Sequence, residues 1–117
     1  MRIVARGDLQ TDFGDTYAPV AGMESIRIFF ALATFHSFQI LQADVSNAFL
    51  YGDTKQVRYF RLPVGHPKHG EGRIWASTKS LYGLREAPLV WFKVLKDFFL
   101  RFNYEQCPIE RCICVKK

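Results

Sequence analysis

The sequence predicts an α+β fold, with two helices set among short strands of antiparallel type in one domain-sized chain. Three observations point there. Apolar residues recur at helical spacing over two stretches, about residues 22–35 and 87–103. Short segments around them have the alternation or apolar density of strands, bounded by Gly and Pro. Of the 117 residues, 49% are hydrophobic, eleven of them Phe, and 23% are charged, so the chain can bury a core and has no disordered composition.

In order along the chain, Met1 to Arg6 alternates Ile3 and Ala5 with Arg2 and Arg6 and reads as a strand. Gly7 to Ala21 reads as loop, broken by Gly14, Pro19 and several Asp. From Gly22 to Phe35 the residues Ile26, Phe29, Phe30, Leu32 and Ala33 predict a helix with a wide buried face. Phe38 to Ala43 is short and apolar, a strand. Val57 to Leu62 carries apolar groups on both faces, a strand at least partly covered, ended by Pro63, Gly65 and Pro67. Arg73 to Thr78 follows the turn signal Gly70-Glu71-Gly72 as another strand. Pro88 stands where a first helical turn accepts it. Trp91, Leu95, Phe98 and Phe102 then form one apolar stripe to about Asn103, taken as core rather than a cofactor box. Cys112 to Val115 is a last strand. The expected architecture is an antiparallel sheet packed by the two helices.

The net charge of +5 suits a polyanionic partner without requiring one. The three cysteines, Cys107, Cys112 and Cys114, are odd in number and clustered, which excludes a disulfide framework. Their spacing does not give the two close ligand pairs of a zinc site, and His66 and His69 read as solvated loop residues. Free thiols, and no apolar run in Met1–Gln10, make the expectation an intracellular protein. The longest apolar run, Ile28–Ala33, is too short for a bilayer, so no membrane partner is expected.

Two segments carry chemistry. In Asp44-Val45-Ser46-Asn47-Ala48-Phe49-Leu50-Tyr51-Gly52 a carboxylate ends an apolar strand and needs a cation or donors. Its plain alternative is that Asp44 caps a short following helix. In Lys79-Ser80-Leu81-Tyr82-Gly83-Leu84-Arg85-Glu86-Ala87-Pro88 a glycine turn with basic flanks enters a Pro-started helix, which taken alone is an ordinary strand-to-helix connection. Together these two segments resemble the hallmark stretches of the Ty1/copia-type retrotransposon reverse transcriptase. Arg2-Ile3-Val4-Ala5-Arg6-Gly7, Tyr17-Ala18-Pro19-Val20 and Leu62-Pro63-Val64-Gly65 support the resemblance in the family's order, over essentially the whole chain.

The resemblance implies a right-hand polymerase, of which residues 1–117 are part of the fingers and palm. It implies Asp44 as the first catalytic aspartate and a magnesium ligand, with the Val45 carbonyl beside it. Asn47 and Ala48 would meet the incoming triphosphate through backbone N–H groups. Phe49 would lie against the nucleotide sugar and exclude a 2′-hydroxyl. Tyr82 and Gly83 would contact the nucleotide, Arg2 or Arg6 its phosphates, and Lys79 and Arg85 the nucleic acid. The implied partners are an RNA or RNA–DNA hybrid template–primer and a dNTP, and the implied cofactor is Mg2+. Two magnesium ions about 4 Å apart need several oxygen ligands. The family's other two aspartates sit in a Tyr-x-Asp-Asp hairpin beyond the position of Lys117, and no Asp-Asp pair occurs in this sequence. The expectation is therefore a reverse-transcriptase fragment without that hairpin, the thumb or the RNase H portion, inactive by itself. The alternative is a non-enzymatic basic module that binds nucleic acid. An unpaired strand edge at Cys112–Val115 and an exposed Phe-rich helix face would favour self-association.

Overall fold

The computed structural model describes residues 3–116. Two helices, α1 (Met23–Phe35) and α2 (Ala87–Arg101), accompany four strands: β1 (Asp53–Arg61), β2 (Ile74–Lys79), β3 (Tyr104–Gln106) and β4 (Cys114–Lys116). This is the mixed α+β class the periodicities predict. The expected single sheet is instead two separate two-stranded antiparallel sheets, β1–β2 and β3–β4.

The chain divides into two compact units. One holds the residues up to Tyr17 together with Asn47–Trp91; the other holds Ala18–Ser46 and the residues from Phe92 onward. In the first unit β1 and β2 pair Arg58 with Ser77, Tyr59 with Ala76, Phe60 with Trp75 and Arg61 with Ile74. A register shift between Asp53 and Arg58 kinks β1. The buried Thr54 hydroxyl bridges that irregularity, 2.8 Å from the Gln56 carbonyl oxygen and 2.9 Å from that of Thr78. One face, with Arg58 and Phe60, is half-buried; the other, with Tyr59 and Arg61, is exposed. Burial in this unit concentrates where β2 runs into α2, at Ser80, Leu84, Glu86 and Ala87.

In the second unit α1 starts at Gly22 and carries Glu24 in its first turn, where the helix dipole favours a carboxylate. It ends in a Schellman motif. Ser37 takes the left-handed conformation at φ 55°, Phe38 N–H donates to the Ala33 carbonyl at 2.8 Å and Ser37 N–H to that of Thr34 at 3.2 Å. Asn103, at φ 62°, takes the same left-handed conformation after α2, donates its N–H to the Leu100 carbonyl at 3.1 Å and leads the chain into β3. The rings of Phe98, Phe99, Phe102 and Tyr104 cluster there at centroid distances of 4.9–5.7 Å. Glu110 ties the β3–β4 connection to the start of α1, accepting from the Gly22 N–H at 3.3 Å and the Ser25 hydroxyl at 3.1 Å.

Several expectations are corrected. Of the first strand, Met1 and Arg2 lie outside the described residues, and Ile3–Arg6 form none. Phe38–Ala43 is not a strand either. Its apolar density was the right composition without a ladder partner, and a strand exists only through pairing. The C-terminal strand begins at Cys114 and pairs with β3, a strand that was not foreseen, so its edge is occupied on one side. The wide face of α1 is open: among the described residues of this unit only Ala33 is a buried apolar residue, while Phe29, Phe30 and Leu32 are about half exposed. The stripe of α2 is similar, half-buried at Trp91 and Leu95 but exposed at Phe98 and Phe102. Among the described residues, no helix is long and apolar enough to cross a membrane.

Candidate functional site

The two sequence segments singled out above meet in the first unit. Asn47 adopts a left-handed conformation (φ 55°, ψ 37°) and turns the chain into a short 3-10 turn, Ala48–Tyr51. Asn tolerates that conformation because its side chain is short and polar. Gly52 follows and accepts the Ser80 N–H at 2.9 Å. Asp53 pairs with Lys79 in the ladder, and their side chains form an exposed ion pair at 2.7 Å, which screening makes weak. Above this junction the Phe49 and Tyr82 rings lie 4.5 Å apart, tilted by 52°. Tyr51 and Trp91 pair more loosely at 6.4 Å. The Ser80 hydroxyl is fully buried with no hydrogen-bond partner, an unsatisfied group inside the junction.

The N-terminal segment locks onto the second hallmark. Ala5 N–H donates to the Tyr82 carbonyl at 2.7 Å. Gly83 has φ 93°, and a Cβ there would overlap the Ala5 carbonyl; a Cβ at Gly7 would overlap that of Gly83. Arg85 donates from Nε to the Gly7 carbonyl at 2.8 Å and lies 4.3 Å over the Phe13 ring. Its expected nucleic-acid role thus competes with a structural one. Glu86, at 7% exposure, accepts from Gln10 Nε2 at 2.7 Å and Arg58 Nε at 2.8 Å. Arg58 also donates to the Asp12 carbonyl at 2.8 Å. This buried network escaped sequence reading, because Arg58 and Glu86 are 28 residues apart and carry no local signal.

Arg6 is exposed, and its guanidinium grips Asp8 with two bonds, at 2.8 and 2.6 Å. The hydrogen bond and charge of Asp8 raise the Arg6 pKa, and the bond from Arg6 holds the Asp8 carboxyl below its ordinary range. A phosphate bound by Arg6 would displace Asp8. A groove of about 930 Å³ runs between this segment and β1, with Arg6, Gln10, Arg58, Tyr59, Trp75 and Leu84 among its walls. Phe49 and Tyr82 are not among them. Arg2, the other candidate phosphate contact, lies outside the described residues.

Asp44 and Val45 fall in the second unit, and Asn47, Ala48, Phe49, Lys79, Tyr82, Gly83 and Arg85 in the first. Asp44 and Val45 are exposed, and the cap before the 3-10 turn is Asn47, so Asp44 does not cap it. Among the described residues no group of three or more His, Cys, Asp or Glu side chains is placed to hold a metal ion. Asp44 by itself does not supply the several oxygen ligands of a two-magnesium centre, because magnesium gives up its water reluctantly.

A family described as reverse transcriptase (RNA-dependent DNA polymerase) matches residues 1–117. The chain is 32% identical over 120 residues to the retrovirus-related Pol polyprotein from transposon TNT 1-94 of Nicotiana tabacum, covering 99% of this chain and 9% of that protein. It is 36% identical over 107 residues to the corresponding polyprotein from transposon RE1 of Arabidopsis thaliana, covering 88% of this chain and 7% of the relative. It is 35% identical over 117 residues to the transposon Ty1-H Gag-Pol polyprotein of Saccharomyces cerevisiae, covering 93% of this chain and 6% of the relative. The chain therefore spans less than a tenth of the length of these relatives. No solved structure matches it.

Proposed function

Because the chain belongs to the reverse transcriptase (RNA-dependent DNA polymerase) family, in its Ty1/copia-type branch, we propose that it is the nucleotide-facing part of a polymerase's fingers and palm. The observation that carries this reading is the meeting of Phe49 with Tyr82, which joins the two hallmark segments through ring contact and the Ser80–Gly52 backbone bond. In this reading the N–H groups of Asn47 and Ala48 face the triphosphate. Phe49 lies flat against the deoxyribose, and Tyr82 and Gly83 complete that wall. Arg6 exchanges Asp8 for phosphate oxygens, to which a guanidinium is well matched. Lys79 and Arg85 face the template–primer, an RNA or RNA–DNA hybrid. Asp44 and the Val45 carbonyl belong to the metal side of the family site. No step of nucleotidyl transfer is assigned to these 117 residues, which contain no Asp-Asp pair.

Isolated, the chain binds but does not polymerise. Primer extension on poly(rA)–oligo(dT) with dTTP and magnesium tests the second half of that statement, and processive incorporation would overturn it. Fluorescence anisotropy with the same duplex tests the first. Binding should weaken steeply between about 50 and about 200 mM salt, as counterion release requires. An affinity that ignores salt would sink the template-facing assignment. The net charge of +5 also favours a second reading, a non-enzymatic nucleic-acid-binding module. It differs in one respect: such a module binds the duplex and shows no affinity for a free dNTP.

A further inference from the structure

Phe49 is placed on weak support. Its 3-10 turn spans four residues, Ala48–Tyr51, entered through the left-handed Asn47 and left through Gly52. Two backbone bonds brace it, Leu50 N–H to the Asn47 carbonyl at 2.9 Å and Gly52 N–H to that of Phe49 at 3.3 Å. The Phe49 side chain is only half-buried. A ring in such a setting has rotamers to choose from, and the turn by itself does not select one.

The backbone at Tyr82 is held on strong support. Its carbonyl accepts the Ala5 N–H at 2.7 Å, and Gly83 beside it has no space for a Cβ against Ala5. Two residues earlier, the fully buried Ser80 donates its N–H to Gly52, the residue that ends the Phe49 turn. The two rings sit 4.5 Å apart at 52°, within the offset and tilted arrangements aromatic pairs prefer. The Tyr82 ring, half-buried like that of Phe49, rises from this held backbone and gives the Phe49 ring a surface to rest against.

We infer that Tyr82 is a positioning residue that holds the Phe49 ring in place, so that discrimination between deoxyribose and ribose belongs to the Phe49–Tyr82 pair rather than to Phe49 alone. This rests on the reading of Phe49 as the plate against the nucleotide sugar. A plate excludes a 2′-hydroxyl only if it cannot rotate away, because a misplacement of about 1 Å is enough to undo a geometry-dependent contact. Without the Tyr82 ring, the Phe49 ring has room to swing, and ribonucleotides gain access without any change at the triphosphate contacts.

The test uses the purified chain and two probes, dATP and ATP supplied as magnesium complexes, competing against a fluorescent dATP analogue. The wild type should prefer dATP. Tyr82→Leu, which keeps most of the volume but no ring, should lower the dATP-over-ATP ratio about 3- to 10-fold, the range an aromatic pair supports. The fall in the ratio should come from ATP gaining relative to dATP, whatever both lose through the missing Tyr82 contact. Tyr82→Phe should retain the ratio. Phe49→Ala should remove the preference, and adding Tyr82→Leu to it should change nothing further, since there is no ring left to position. An unchanged ratio in Tyr82→Leu, or an equal loss for both nucleotides, overturns the inference and leaves the Phe49 reading standing. Failure of the wild type to prefer dATP, or to bind either nucleotide, overturns the Phe49 reading and the inference with it.

Discussion

The Glu86 carboxylate is a buried charge in the first unit, and its removal should be costly. It is 7% exposed, its partner side chain Arg58 is 16% exposed, and two short bonds converge on it from Gln10 and Arg58. Glu86→Leu removes both bonds and leaves a guanidinium in a half-buried site. Breaking a buried pair from one side costs about 3–5 kcal/mol. Arg58 keeps the Asp12 carbonyl at 2.8 Å and the Asp12 carboxylate at 3.7 Å, which places the cost at the lower end, about 3 kcal/mol. Removing both charges in Arg58→Met/Glu86→Leu should recover most of that loss and fall within about 1 kcal/mol of wild type, because apolar groups of similar volume replace the pair. Urea unfolding followed by tryptophan fluorescence is the assay. Trp75 and Trp91 both lie in the first unit, so the signal reports on that unit. With a urea slope of about 1.5 kcal/mol/M, Glu86→Leu should lower the midpoint by about 2 M. A single-variant loss under about 1 kcal/mol, or a double variant as unstable as the single, would refute the reasoning.

Further outcomes follow from single residues. Gly83→Ala should destabilise the first unit by about 3 kcal/mol, because φ is 93° and the new methyl meets the Ala5 carbonyl; the same urea titration reads it. Ser80→Ala should stabilise by about 1 kcal/mol, since it deletes a buried hydroxyl that has no partner; a loss of stability would show that a water satisfies the hydroxyl. The Cys112 N–H, then the Gly22 N–H and Ser25 hydroxyl, hold the Glu110 carboxyl below its ordinary range. A depressed folded pKa gives stability that is complete above the ordinary carboxylate range and is lost as pH falls through the lowered value. Thermal melts by circular dichroism from about pH 6 to about pH 2 should therefore show an acid-side loss in wild type, and Glu110→Gln should shrink it. Asp8→Asn releases the Arg6 guanidinium and should tighten dATP binding about 2- to 5-fold in low salt, a gain that vanishes in about 1 M salt; no change would remove Arg6 from the phosphate site.

Local chemistry explains which parts were legible. The stretch 22–35 and the helix Met23–Phe35 agree, as do 87–103 and Ala87–Arg101, because periodic apolar residues, Pro88 and a polar turn residue at Asn103 act within a few positions of one another. β2 was placed within a residue by the same kind of punctuation. Phe38–Ala43 and the Tyr104–Gln106 strand went wrong in opposite directions. The first had strand composition and no partner, and the second had three unremarkable residues and a partner in Cys114–Lys116.

By itself the sequence determined the family, since D-V-S-N-A-F-L-Y-G and K-S-L-Y-G-L-R-E-A-P are read from the chain without any folding. It also determined the two helices and the basic charge balance. Only the tertiary structure decided that one expected sheet is two, that the Arg85 Nε bonds Gly7, and that Glu86 is committed to Gln10 and Arg58. It alone decided that Phe49 stands against Tyr82. Strand pairing, partners for buried charges and ring contacts are made between residues far apart in the chain, so their energy appears only once the chain has closed on itself.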